Sequence, residues 1–420
     1  MNEPARQGWG YWIGVLGPGL LMAGAAIGVS HLVQSTRAGA EYGWDLVLLV
    51  VLVNVFKMPF FEFGHRYAAA TGRNLLDGYR ELGVGWLWLF LVLNVVSAVI
   101  ATAGVTIVLA GLTAHLFPGL DTRGWSAVAL VASMGLIVLG RYRWLDGLMK
   151  GVMVVLFVTT LAALAAAFWH GPVAAADYRG PNPWELSQAG FLLALMGWMP
   201  APIELSVWQS LWIQAKNRSR AQPLTEHEAR VDFHVGYWMT TVSAVIFLML
   251  GALMMFGSGT VFSQNGAVFA AQFVEIYRKT LGSWAGPVVT LAAISTMFST
   301  VLTVVDAYPR SLAVGVETAW GRVPFGWGKR MFHGVWMVLV GVVAWVLITH
   351  FTSNMKGMVD LATIIAFLSA PVFAWINFLV VTGPGMPEGS RPGRGMRGLA
   401  WAGLVFLAGF SVWYALSRVM

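Results

Sequence analysis

Hydrogen-bonding and ionisable side chains are scarce in this sequence, so the few that interrupt its apolar runs are the candidates for chemistry. Residues 17–43 read GPGLLMAGAAIGVSHLVQSTRAGAEYG, where the small residues Gly24, Ala25, Ala26 and Gly28 lead into Ser30, His31, Gln34 and Ser35. Residues 196–209 read MGWMPAPIELSVWQ, which places Glu204 and Gln209 after Pro200 and Pro202, with Trp198 and Trp208 on either side of the carboxylate. A histidine can hydrogen-bond a solute or carry a proton near neutrality. Gln34 lies three residues on and shares its helical face. Glu204 can bind solute hydroxyls, take a proton, or accept backbone donors where a helix restarts, a place that favours a carboxylate. An indole offers a stacking face to a sugar ring or π-attraction to a cation. Each has a structural role to set beside these: His31 satisfying a carbonyl freed by a helix break, Glu204 as a cap, and either indole as packing in a chain with 21 tryptophans.

Other polar groups are read more plainly. Lys57, five residues before Glu62 and close to His65 and Arg66, is expected to form a structural ion pair near an inner gate. Asn94 and Ser97, and the stripe Thr296, Ser299, Thr300 and Thr303, are either helix-packing groups or cavity lining. Asp306 and Asp360 are expected at span ends, solvated or paired. The sequence has no GxxxxGK[ST], HExxH or EF-hand loop and no cysteine, so neither a nucleotide, a metal cofactor nor enzyme chemistry is indicated.

The elements that must hold these groups are membrane helices. With 58% hydrophobic and 11% charged residues, the chain is too apolar for a soluble enzyme. Its net charge of +7 is carried by loops that set topology rather than by a nucleic-acid surface. About eleven apolar runs are long enough to cross a bilayer, at 11–37, 44–70, 86–116, 125–144, 147–169, 188–213, 233–257, 285–308, 331–350, 358–382 and 398–418. The first ten residues lack the order of a cleavable signal, so the first span is read as the targeting signal. Residues 267–282 read as an amphipathic surface helix. Lysine and arginine gather in the even-to-odd loops, for example Arg73, Arg80, Arg218, Arg330 and Arg394, which predicts a cytoplasmic N-terminus and, with an odd span number, a C-terminus outside. Glycine costs a helix interior roughly 1 kcal/mol, and proline removes a backbone donor. The first and sixth spans are therefore predicted to break, near Gly28 and at Pro200–Pro202. Two interrupted spans in corresponding halves point to a transporter's binding site. The expected domain is single, 1–420, with inverted repeats at 11–169 and 188–382 and an extra helix at 398–418.

GPGLL from Gly17, AGAEYGW from Ala38, TGRNLLDGYRELG from Thr71 and the Met199–Pro200 pair resemble the Nramp metal-ion transporters, as does the eleven-span plan. The resemblance implies an all-α membrane protein of LeuT-like five-plus-five inverted repeat, working by alternating access. It also implies a metal site built from a DPGN motif in the first span and an MPH motif in the sixth. At those positions this chain has Gly28, Val29, Ser30 and His31, and Met199, Pro200 and Ala201. The family's acidic residues in the third span are replaced by Asn94 and an apolar run. A desolvated divalent ion needs anionic oxygens or several strong dipoles, so the expected cargo is a small neutral polar organic solute such as a sugar. The predicted substrate-binding set is Ser30, His31, Gln34, Asn94, Trp198, Met199, Glu204, Trp208, Gln209, Thr296 and Thr300. His31 and Glu204 are the candidates for proton coupling, and no residue is assigned to metal. The alternatives are a divalent metal transporter with a rearranged site, using Glu204 and Asp306, and a transport-inactive sensor or structural subunit. The expected partners are a solute, a proton as coupling ion and the lipid bilayer, with no nucleic acid. The expected state is a monomer in a bacterial inner membrane.

Overall fold

The computed structural model of the 420-residue chain describes residues 11, 15–140, 142–218, 220 and 222–419, with backbone alone at 142–153. The first ten residues, with Arg6, and the side chains of Arg143 and Lys150 lie outside the described residues, as does Arg141. Among the described residues every regular element is a helix. Their order is α1 (Pro18–Ala26), a π-helical turn (Ser30–Ser35), α2 (Thr36–Tyr42), α3 (Val47–Thr71), α4 (Leu75–Leu82), α5 (Val84–Leu116), α6 (Thr122–Val138) and α7 (Tyr142–His170). After a long loop come α8 (Ala189–Gly197), α9 (Leu205–Arg218), α10 (Glu226–Met254), α11 (Gly266–Leu281), α12 (Ala285–Trp320), α13 (Lys329–His350), α14 (Met355–Thr382) and α15 (Arg394–Leu416).

Seven described helices are long and apolar enough to cross a membrane unbroken: α3, α5, α10, α12, α13, α14 and α15. The first and sixth expected spans are split, into α1 and α2 and into α8 and α9. The amphipathic segment is α11, buried along Phe269, Phe273 and Tyr277 and exposed at Val268, Glu275 and Lys279. The largest difference from the expected boundaries is at the end of the eighth span. The eighth span was read as ending at 308, but α12 continues through Pro309 to Trp320. A proline forfeits one backbone donor, and Arg310 stays in register through its ion pair with Asp306, one turn back.

The split helices sit at the centre of the bundle. α1 and α2 pack on α10, α8 packs on α14, α9 packs on α3, and the long pair α5 and α12 braces them. The seam between the first and seventh spans requires glycine on both sides. A Cβ on Gly19 would lie 1.9 Å from the Asp232 carbonyl oxygen, and one on Gly236 would lie 2.0 Å from that of Gly19. The Asp232 carboxylate also accepts the Gly17 and Gly19 N–H groups, each at 2.8 Å. Those are free donors at the positive end of α1, so a buried anion is favoured there.

Candidate functional site

The two breaks face one another. In the first span, α1 stops at Ala26 and the wide turn begins at Ser30. Ser35 Oγ and Thr36 Oγ1 donate to the carbonyls five residues earlier, at 3.1 and 3.4 Å, which supports the wider turn. In the sixth span, neither Pro200 nor Pro202 can donate, and the chain re-enters a helix by short turns from Leu205 to Pro202 and from Val207 to Glu204.

Between the breaks is a small cavity of about 30 Å³. Ala25, Ala26, Val29 and Ser30 line it from the first span, Trp198, Pro200, Ala201, Pro202, Leu205 and Trp208 from the sixth, and Thr300, Val304 and Tyr308 from α12. The wall is apolar and aromatic, set with a few hydroxyls. The indole N–H groups of Trp198 and Trp208 are buried and have no protein partner. The Trp208 and Tyr308 rings meet edge to face with centroids 4.5 Å apart.

Of the predicted set, the structure brings Ser30, Trp198, Trp208 and Thr300 to the cavity wall. The others take up different positions. His31 is fully buried, with Nδ1 2.8 Å from Ser30 Oγ and Nε2 2.9 Å from the Thr240 carbonyl, so its ring joins the break to α10. Gln34 donates to Asp360 at 3.0 Å and accepts from Arg37 at 2.9 Å. Asn94 donates to Ser311 at 2.9 Å and ties α5 to α12. Gln209 donates to Met22 Sδ, and Met199 and Thr296 are buried behind the wall. Glu204 is also behind it, but Tyr308 donates to its Oε1 at 3.1 Å, so one hydroxyl separates the carboxylate from the cavity.

Two expectations about charge are corrected. Lys57 forms no ion pair with Glu62; Glu62 pairs with Arg66 at 2.5 Å, while Lys57 donates to backbone carbonyls of the sixth span. Asp306 does not reach the cavity; it pairs with Arg310 at 2.6 Å in a separate vestibule. Tyr308 was missed. It lies on the Thr300, Val304, Tyr308 face at four-residue spacing, and that stripe was the available signal.

Access is one-sided. A wide vestibule, lined among others by Asn74, Arg80, Trp212, Arg218, Asp306 and Lys329, extends along three helices to Leu21, Leu211 and Thr303. The cavity takes over about one turn further on the same helices. The opposite end is closed by Arg37, which donates to Asp360 at 2.7 Å, with Glu41 3.6 Å from Arg37 and 3.4 Å from Lys356.

Among the described residues, no group of three or more histidine and acidic side chains converges as a metal shell would. A Cβ on Gly28 would lie 2.8 Å from Thr300 Oγ1, so the space for a longer side chain there is already filled.

A family model described as natural resistance-associated macrophage protein-like, Nramp, matches residues 19–417. An uncharacterised protein of Pasteurella multocida strain Pm70 is 36% identical over 412 residues, covering 97% of this chain and 93% of that protein. The divalent metal cation transporter MntH of Ralstonia nicotianae is 24% identical over 285 residues, covering 64% and 61%. Among solved structures, the manganese transporter of Eremococcus coleocola superposes with a TM-score of 0.72 at 14% identity, covering 99% of this chain and 88% of that one. MhsT in complex with L-phenylalanine superposes with a TM-score of 0.62 at 14% identity, covering 99% of each chain.

Proposed function

Because the chain belongs to the Nramp family of membrane transporters and is not an enzyme, we propose that it moves a small neutral polar organic solute by alternating access, with a monosaccharide the first candidate. The observation that supports this is the chemistry of the cavity wall. Trp198 and Trp208, whose indole N–H groups have no protein partner, and the hydroxyl residues Ser30, Thr300 and Tyr308 line an otherwise apolar wall without a carboxylate or an imidazole. Apolar, aromatic walls with a few placed polar groups suit such ligands, and the cavity must widen from this conformation to admit one. A bare divalent ion would lose its hydration there without gaining anionic oxygens.

The names of the relatives favour a second reading over this one, transport of a divalent metal such as manganese, iron or magnesium. That reading needs ligands beyond Met199, and neither Glu204 nor Asp306 lines the cavity. Calorimetry and proteoliposome uptake with the purified protein separate the two. The solute reading expects heat and saturable uptake with a hexose or another neutral polar solute, and none with Mn²⁺. Saturable Mn²⁺ uptake without any organic flux overturns it, and absence of all flux from folded protein leaves the sensor reading.

Coupling belongs to Glu204 rather than His31 in this proposal. Both His31 ring nitrogens already have protein partners, whereas Glu204 reaches the cavity through the Tyr308 hydroxyl and its Oε2 is unpartnered. Glu204→Gln is expected to keep solute exchange at equal pH and to lose the acceleration by an imposed pH gradient. Retained acceleration would remove Glu204 from the coupling.

A further inference from the structure

The sixth span ends its first half where the regular helical donors run out. In a continuous helix the Met196 carbonyl would accept from residue 200 and the Gly197 carbonyl from residue 201. Residue 200 is proline and the path turns away at Trp198, so the Met196 carbonyl keeps only a tight turn's bond from the Met199 N–H at 3.2 Å. Lys57, from the middle of α3, fills the gap. Its Nζ donates to the Met196 and Gly197 carbonyls at 2.8 Å each and to the Ala201 carbonyl at 3.3 Å. An ammonium has three N–H bonds, and all three are used. The side chain is fully buried, and the nearby Glu204 carboxylate acts on it electrostatically.

Carbonyl oxygens converging on one positive point are the donor set of a hard-cation site. Here the charge arrives on a side chain. We propose that Lys57 is a tethered cation, which occupies the carbonyl nest of the broken sixth helix so that no free ion is needed or admitted there. The geometry separates this role from that of an ordinary ion pair. The anchors are main-chain oxygens at a helix break, and Glu62, the expected partner, is held by Arg66. A buried lysine also costs several kcal/mol of desolvation unless its hydrogen bonds are complete, and these are complete only while the helix stays unwound. Lys57 thus fixes the break that positions Trp198 and Ala201 on the cavity wall. The inference holds for either cargo, because it concerns a site behind that wall.

The test is thermal melting of the purified full chain in choline chloride, then with added Na⁺, K⁺ or methylammonium. Wild type is expected to melt at the same temperature in all of them. Lys57→Ala is expected to melt lower in choline and to regain several degrees, saturably, with at least one small cation, as linked binding requires. Lys57→Met, whose stem refills the space, is expected to stay low throughout. A Lys57→Ala protein that ignores every cation overturns the proposal. Lys57→Gln keeps two N–H donors without the charge and decides the matter should the alanine variant not fold. It is expected to melt below wild type, and melting at the wild-type temperature would show that the carbonyls need donors rather than a cation.

Discussion

At the scale of single residues, hydrogen-bond completeness separates binding groups from scaffold. His31 is surrounded by groups that already satisfy it, and losing its ring would remove its bonds to Ser30 and to the Thr240 carbonyl, which would keep only its helical donor. Losing a buried hydrogen bond costs about 0.5–1.5 kcal/mol and the emptied ring space adds to the loss, so His31→Ala is expected to lower the melting temperature while solute affinity changes less than about twofold. Trp198→Phe and Trp208→Phe should do the reverse. Each keeps an aromatic face and removes a free N–H, weakening binding by about 0.5–1.5 kcal/mol, a few-fold to tenfold in Kd, at nearly constant melting temperature. Calorimetry and melting on the three variants check the contrast, and a His31 variant that loses affinity without losing stability would return the imidazole to the solute. The sequence made the residue types legible but not their bearings. His31, Gln34 and Gln209 have the chemistry of a polar pocket, and three- or four-residue spacing shows which side chains share a face. It does not show whether that face meets a cavity or a neighbouring helix. Tyr308 is the converse case, an ordinary core residue by type that the stripe from Thr300 brings to the wall.

At the scale of elements, the breaks were readable because their causes are local. Two missing N–H groups and a run of small residues disfavour a helix whatever surrounds it. Pro309 has the same local defect, yet α12 passes through it without interruption. The difference is spacing: Pro200 and Pro202 together remove two donors within one turn, while Pro309 removes one. The closed end of the pathway was not readable, because Gln34, Arg37 and Asp360 meet across more than 320 residues of sequence. Their geometry makes a prediction about the second half of the first span. Arg37 holds Asp360 from a buried position, so Asp360→Asn should weaken the closure and raise the fraction of molecules open at that end. The chain has no cysteine, so Ser30→Cys on the cavity wall gives a clean reporter. In right-side-out and inverted vesicles, an impermeant maleimide is expected to label it from the Arg80 and Arg218 face. Adding Asp360→Asn should speed labelling from the opposite face severalfold. An unchanged ratio of the two rates would mean the ion pair does not hold that end shut.

At the scale of the whole molecule, the charge pattern and the cavity's access make one joint statement. Arg80, Arg218, Arg310, Lys329 and Arg330 stand around the vestibule mouth, and the sealed end carries Arg37 and Lys356, each held by a carboxylate. Basic residues in short loops remain cytoplasmic during insertion, so the vestibule should open to the cytoplasm and the structure should be an inward-open state. Loop charge and the packing of the broken helices are independent properties that need not have pointed to the same face. Reporter insertions test it directly. A fluorescent protein placed in the loop after α9, near Gln222, is expected to fold and fluoresce, while alkaline phosphatase there stays inactive. In the outer loop between α7 and α8, near Asp177, phosphatase should be active and fluorescence absent. Reversal of both signals would invert the molecule in the membrane and turn this conformation outward-open, with the Arg37–Asp360 closure becoming the inner barrier. Activity of both reporters at one site would mean mixed insertion, which the excess of basic residues on one face should prevent.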